Sequence, residues 1–185
     1  MAILDSEISR TLSAYLQCYP EEVNLLAEPV RLLAQGANFA SRRNFEMHVT
    51  VGALLVREGS EVLLVDHLAY GIPLQPGGHL EPTDDTLISA AVRELVEETG
   101  VDPDGLYLAS PIPVYVEFGE VPARPAKDEP AHAHLDFGFS FVAASARTDV
   151  GRIQESEVRG ARWYPLSVAE QLVGHRIARA VTTPA

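Results

Sequence analysis

The sequence is short of basic residues. It has 14 Lys and Arg against 26 Asp and Glu, a formal net charge of −12. A field of that sign repels phosphate backbones and argues against duplex nucleic acid as a partner. There is a single cysteine, Cys18, which excludes an intrachain disulfide. A reducing, cytoplasmic setting is the matching expectation. No apolar run approaches the roughly 20 residues that span a bilayer. The opening MAILDSEISR, with acidic residues early, does not read as a signal peptide. Membrane insertion is not expected. Internal repeats and low-complexity tracts are also missing, which leaves out solenoids and disordered linkers.

What remains is an ordinary globular balance, 46% hydrophobic and 22% charged over 185 residues. That length suits one compact domain with an extension. Leu4, Ile8, Leu12 and Leu16 recur at a spacing of four and predict a helix over residues 4–17, with Asp5 or Ser6 as cap. Val23, Leu26, Val30 and Leu33 predict a second helix over Glu21 to Gln35, ended by Gly36. These two helices form an N-terminal extension, residues 1–44, for which packing or a homodimer contact is the expected role.

From His48 the period changes. Val49 to Val56 and Val62 to Val65 read as strands joined by a turn at residues 57–60, which predicts a β-hairpin. A Gly- and Pro-rich loop leads to a helix from about Asp84 to Thr99, with Thr83, Asp84 or Asp85 as cap and Gly100 past its end. Leu106 to Phe118 is extended. Ala131 to Ala143 alternates, with Ala133, Leu135, Phe137, Phe139 and Phe141 on one face and His132, His134, Asp136, Gly138 and Ser140 on the other. A short strand, Val158 to Tyr164, precedes a last helix capped by Ser167. This order predicts an α+β fold, a mixed sheet with helices packed on it.

The chemistry concentrates in QPGGHLEPTDDTLISAAVRELVEETGV, residues 75–101. Arg93, Glu94, Glu97 and Glu98 fall on one stripe of the helix. Three glutamates within five residues repel one another unless something compensates. A divalent cation does so, since hard cations prefer oxygen ligands. Arg93 neutralises part of the charge and holds a carboxylate in place. Gly77-Gly78 allows close backbone approach.

This segment resembles the Nudix box, GX5EX7REUXEEXGU, where U is bulky and apolar. Arg93, Glu94, Leu95, Glu97, Glu98, Gly100 and Val101 match its second half, and Gly78 matches its first glycine. Fourteen residues separate Gly78 from Arg93, one more than in the family pattern, and Asp84 or Asp85 stands for the middle glutamate. The resemblance implies an α/β/α sandwich over residues 45–175, with the box at 78–101 and a tail at 176–185. It implies a pyrophosphohydrolase that cleaves a nucleoside diphosphate linked to another group, with Mg2+ or Mn2+ as cofactor. Carried over, Glu97 and Glu98 are the main metal ligands, and Glu94 is a ligand or the base that activates water. The Gly77 carbonyl is a further ligand, and Arg93 orients Glu94. Catalytic roles thus fall on Glu94, Arg93 and Glu97, and the partner is a small nucleotide or other diphosphate.

Outside the box, His132, His134, Asp136 and Glu81 are candidate substrate contacts. Glu155 and Glu157 are weaker candidates for a loop base, and Arg42 and Arg43 for a phosphate contact. A domain that binds a nucleotide as a sensor without turnover is the alternative function. Isoprenoid diphosphate isomerisation fits poorly, because the single cysteine lies in the extension.

Overall fold

Strand β1 (Met47–Arg57) is buried along nearly its whole length and organises the sheet. A computed structural model of the chain describes residues 3–68, 71–125, 128–144, 148, 150–151, 153, 156 and 158–181. On one side β1 runs antiparallel to β2 (Glu61–His67), with Val56 opposite Val62, forming the expected hairpin. On the other side it runs parallel to β7 (His132–Ala143), in register from Met47 opposite Ala133 to Val56 opposite Val142. Short strands β3 (Pro73–Leu74) and β4 (Gly77–His79) pair with β2 and β1. β5 (Leu106–Leu108) and β6 (Tyr115–Val121) both pair with β7, and β8 (Val158–Pro165) pairs with β2. One parallel pair among antiparallel ones makes the sheet mixed.

The period-2 rule assigns its two faces. Val49, Val51, Ala53 and Leu55 of β1 join Phe137, Phe139 and Phe141 of β7 in one core, which α3 (Leu87–Thr99) covers through Leu87, Ala91 and Leu95. Leu54 and Val56 face the opposite core with Ala169 of α4 (Leu166–Val173) and Ile177 of the closing 3-10 helix (His175–Val181). The result is the expected α/β/α sandwich. Among the described residues, no helix is long and apolar enough to cross a membrane.

The N-terminal helix α1 (Asp5–Cys18) docks on the α3 side through Ile8, Leu12 and Tyr15, which are fully buried. The expected side-chain cap is not formed. Both Asp5 carboxylate oxygens instead accept from backbone N–H groups, of Asn38 and Phe39, at 2.8 Å. The second predicted helix breaks up. A 3-10 turn at Pro20–Glu22 is followed by α2 over Ala27–Leu33 only. Pro20 and Pro29 lack N–H donors, and Pro29 is tolerated because it falls in the first turn of α2. Tyr15 donates to Glu22 Oε2 at 2.6 Å, and Arg179 reaches both Tyr15 Oη and Glu22, joining α1 to the closing 3-10 helix. Ser167 does not cap α4, whose N-cap is Pro165.

β7 departs from a simple reading of its alternation. Its polar face is covered too: Ser140 is buried under the closing 3-10 helix, donating to the Ala180 carbonyl, and His132 is buried against the His48 and His134 rings.

If α1 is an integral part of the core, Leu12→Ala should lower unfolding free energy by about 3 kcal/mol. Leu25→Ala, at an exposed site, should change it by less than about 0.5 kcal/mol. Urea denaturation followed by circular dichroism measures both, and equal effects would show that α1 is not packed as described.

Candidate functional site

α3 begins later than its composition suggests, and this sets up the site. Thr86 is the N-cap. Its Oγ1 accepts from Ser89 N at 3.0 Å, and Ser89 Oγ accepts from Thr86 N at 2.9 Å, a reciprocal capping box. Asp84 is thereby released from the capping role expected of it. The helix ends at Gly100, whose φ of 66° is left-handed and suits glycine. Between these ends Arg93, Glu94, Glu97 and Glu98 come together beside β4, as their spacing predicts.

Arg93 holds the arrangement. Nε and Nη2 donate to Asp84 Oδ1 and Oδ2, both at 3.0 Å, a bidentate pair. Nη2 also donates to the His79 carbonyl at 2.9 Å. Nη1 donates to Glu94 Oε1 and Glu97 Oε2, each at 3.0 Å. Burial opposes the guanidinium charge, but its Asp84 hydrogen bonds and neighbouring Glu94 outweigh that and raise its pKa. Asp84 and Asp85 differ in their surroundings. Asp84 is buried on Arg93 and also accepts from Glu81 N at 2.7 Å, whereas Asp85 is exposed. Asp84 lies six residues after Gly78, as the family pattern requires, so the extra residue falls between Asp84 and Arg93.

The glutamates differ in exposure. Glu94 is buried with its carboxylate against Gly78, where an added Cβ would come within 2.5 Å of Oε1. Glycine is the residue that fits. Glu98 is 1% exposed and accepts from Gly77 N at 3.1 Å. The Glu97 side chain is 45% exposed and meets Arg93 from the solvent side. Glu81, Arg93, Glu94 and Glu97 line a cleft of about 640 Å³. Its other wall includes Asn38, Ser41, Arg42 and Arg43, so the segment after α2 shapes the site. The basic pair in an otherwise acidic chain was the one sequence signal for that wall. The donor set fits a hard divalent cation: three carboxylates on one helix stripe, beside the Gly77-Gly78 backbone.

The three polar residues of β7 go to two different places. Asp136 accepts from Thr50 Oγ1 and Tyr115 Oη, both at 2.9 Å, and Tyr115 Oη accepts from Gln75 Nε2 at 2.7 Å. Burial raises the pKa of Asp136 and of the Tyr115 phenol. His132 and His134 instead join His48 of β1 and His79 of β4, with ring centroids 4.5–5.4 Å apart among neighbours. Of these four rings only His79 lines the cleft. Burial pushes both His79 and His134 down to about 3, and His48 is lowered for the same reason. His48 and His79 did not stand out in the sequence, because only the pairing of β1 with β7 and β4 brings them to His134. Glu155 and Glu157 lie outside the described residues.

The NUDIX domain family model matches residues 46–184. A 59-residue stretch, 31% of the chain, is 49% identical to phosphatase NudJ of Escherichia coli strain K12 and spans 37% of that protein's length. Among solved structures, a NUDIX-family hydrolase from Clostridium perfringens superposes with a TM-score of 0.54 at 21% identity, covering 74% of this chain and 95% of that one. The E. coli dihydroneopterin triphosphate pyrophosphohydrolase gives 0.55 at 18% identity, covering 72% and 91%. At these identities the two structures establish the shared fold.

Asp84→Asn should lower unfolding free energy by about 2 kcal/mol, through loss of a charge-assisted pair, whereas Asp85→Asn should have a much smaller effect in the same urea titration. The histidine cluster predicts a pH effect. The folded pKa values of His79 and His134 lie below the ordinary value, so the unfolded chain binds protons that the folded chain does not. The stability they confer is complete above about pH 6.5 and is lost as pH falls towards about 3. In chelator-treated protein, the melting temperature should drop more steeply between pH 7 and 4.5 in the wild type than in His134→Gln. Parallel slopes would mean that the rings are not held neutral.

Proposed function

The chain belongs to the NUDIX domain family, and from that premise we propose that it is a metal-dependent hydrolase of a nucleoside diphosphate linked to another group. The observation that carries this reading is the set of carboxylates, Glu94, Glu97 and Glu98, ordered around Arg93 and Gly77-Gly78 at the edge of a cleft. Glu94, Glu97, Glu98 and the Gly77 carbonyl would hold Mg2+ or Mn2+. When bound, that ion offsets charge on the diphosphate oxygens and lowers the pKa of a coordinated water.

The protein's own groups do the rest. Arg93 fixes the Glu94 and Glu97 carboxylates before substrate arrives, so little reorganisation is needed during reaction. Glu94 accepts the proton of the water that attacks phosphorus. One P–O bond forms, the bridging P–O bond breaks, and the leaving phosphate takes the bond's electron pair. Arg42 and Arg43, across the cleft, bind the anionic groups of the substrate. Glu81 borders the same space and contacts the part of the substrate beyond the diphosphate. The cleft volume of about 640 Å³ lies within the range of small-molecule sites. The likeness to phosphatase NudJ supports phosphate-ester or anhydride chemistry, over the part of the chain that it covers.

The test is a panel of nucleoside triphosphates, nucleotide sugars, dinucleotides and ADP-ribose, each with Mg2+ or Mn2+, read as released phosphate or diphosphate. Turnover should require the metal and should fall by at least ~100-fold in Glu97→Gln and in Glu98→Gln. Binding without turnover across the panel would favour a nucleotide sensor, and full activity in both variants would sink the hydrolase.

A further inference from the structure

Four of the six histidines in the chain gather at one place, and the hydrogen bonds of two of them fix which nitrogens carry protons. His48 Nδ1 lies 3.1 Å from the Asn44 carbonyl. A carbonyl only accepts, so Nδ1 bears the proton and Nε2 the lone pair. That Nε2 is buried with no hydrogen-bond partner among the described residues, in a side chain that is 1% exposed. His132 repeats the pattern, with Nδ1 2.7 Å from the Pro130 carbonyl. Its Nε2 lies 3.0 Å from His134 Nε2. In the neutral His132 ring Nε2 is an acceptor, so the shared proton belongs to His134 and the His134 lone pair sits on Nδ1.

The structure thus presents a buried imidazole lone pair without a donor to match, on His48 Nε2. One ring nitrogen from each of His48, His79 and His134 lies within 4.8 Å of the other two. We infer that His48, His79 and His134 form a binding site for a late first-row transition-metal dication of the zinc type, separate from the carboxylate site. Metal–nitrogen bonds of about 2.05 Å in a tetrahedral set place the nitrogens roughly 3.3 Å apart, so the present spread closes with small side-chain rotations. Neutral nitrogen donors suit such ions and suit Mg2+ poorly. The non-ligating nitrogens are held as metal-bound histidines usually require: His48 by the Asn44 carbonyl and His134 by His132. Packing alone explains stacked rings, as between His48 and His132, but it leaves the buried His48 lone pair without a donor.

The site adjoins the cleft without depending on its chemistry. His79 follows Gly78, lines the cleft and gives its carbonyl to Arg93. Three protein ligands leave a coordination position open to water or an anion, and a bound ion adds positive charge to the cleft wall. This last consequence rests on the hydrolase reading, whereas metal binding by the three histidines stands apart from it.

The experiment titrates Co2+ into the full-length, chelator-treated protein with excess Mg2+ present to occupy the carboxylates. About one equivalent should bind with the intense visible bands of a tetrahedral nitrogen site, and Zn2+ should displace it. His79→Gln and His134→Gln should each weaken binding by ~100-fold or more, whereas Glu97→Gln and Glu98→Gln should keep the bands. The wild type supplies a check that does not depend on variants folding. In long-range 15N correlation spectra, Zn2+ should shift the rings of His48, His79 and His134 and leave His67 and His175 in place. Absence of tetrahedral bands, their survival in both histidine variants, their loss with the glutamates, or ring shifts confined to other histidines would each overturn the site.

Discussion

The Arg93 guanidinium sits in a planar fork of oxygens, and its five hydrogen bonds tie together groups that would otherwise separate. Asp84 anchors it from the loop, His79 from β4, and Glu94 and Glu97 from its own helix. Lysine offers three donors on one atom and cannot span that set. Without this centre, the carboxylates of α3 would repel and the loop before the helix would lose its tie to the middle of α3. The same contact ties β4 to α3, so the geometry of the glycine pair, of the glutamates and of the His79 ring depends on it.

Local order was legible in the sequence wherever short-range physics decides it. The hairpin, the α3 stripe and the left-handed Gly100 follow from periodicity and from glycine's conformational freedom. The start of α3 was not, because three acceptable caps precede Thr86 and only tertiary demand on Asp84 by Arg93 selects among them. α2 came out shorter than its apolar spacing suggested, since amphipathic spacing does not register where prolines interrupt the backbone. His132 and His134 were visible on one face of β7. Their meeting with His48 and His79 was not, because strand partners far apart in sequence leave no mark in either strand alone. Asp136 shows the same limit: its acceptors' partners, Thr50 and Tyr115, arrive from two other strands.

The walls of the cleft come from different parts of the chain. The helix and its glycine loop supply the carboxylates, while the segment after α2 supplies Arg42 and Arg43. That segment is held by Asp5, whose two oxygens grip the backbone at Asn38 and Phe39. The N-terminal helices therefore do more than cover apolar surface. They anchor the segment that faces the glutamates across the cleft.

The parallel pairing of β1 with β7 has a consequence for how the molecule comes into being. Thr50 and Asp136, bonded across that pair, are separated by 86 positions. A contact of such separation closes late, because loop entropy must be overcome before the pairing yields anything. As the chain is made, the stripe of α3 is complete within a few turns of helix, and its neighbour β4 lies just before it in sequence. The imidazoles of β7 can join His48 only once β7 itself has been made. The two clusters therefore differ in contact order: the glutamates are ordered by contacts local in sequence, whereas the histidines meet only when β1 and β7 pair.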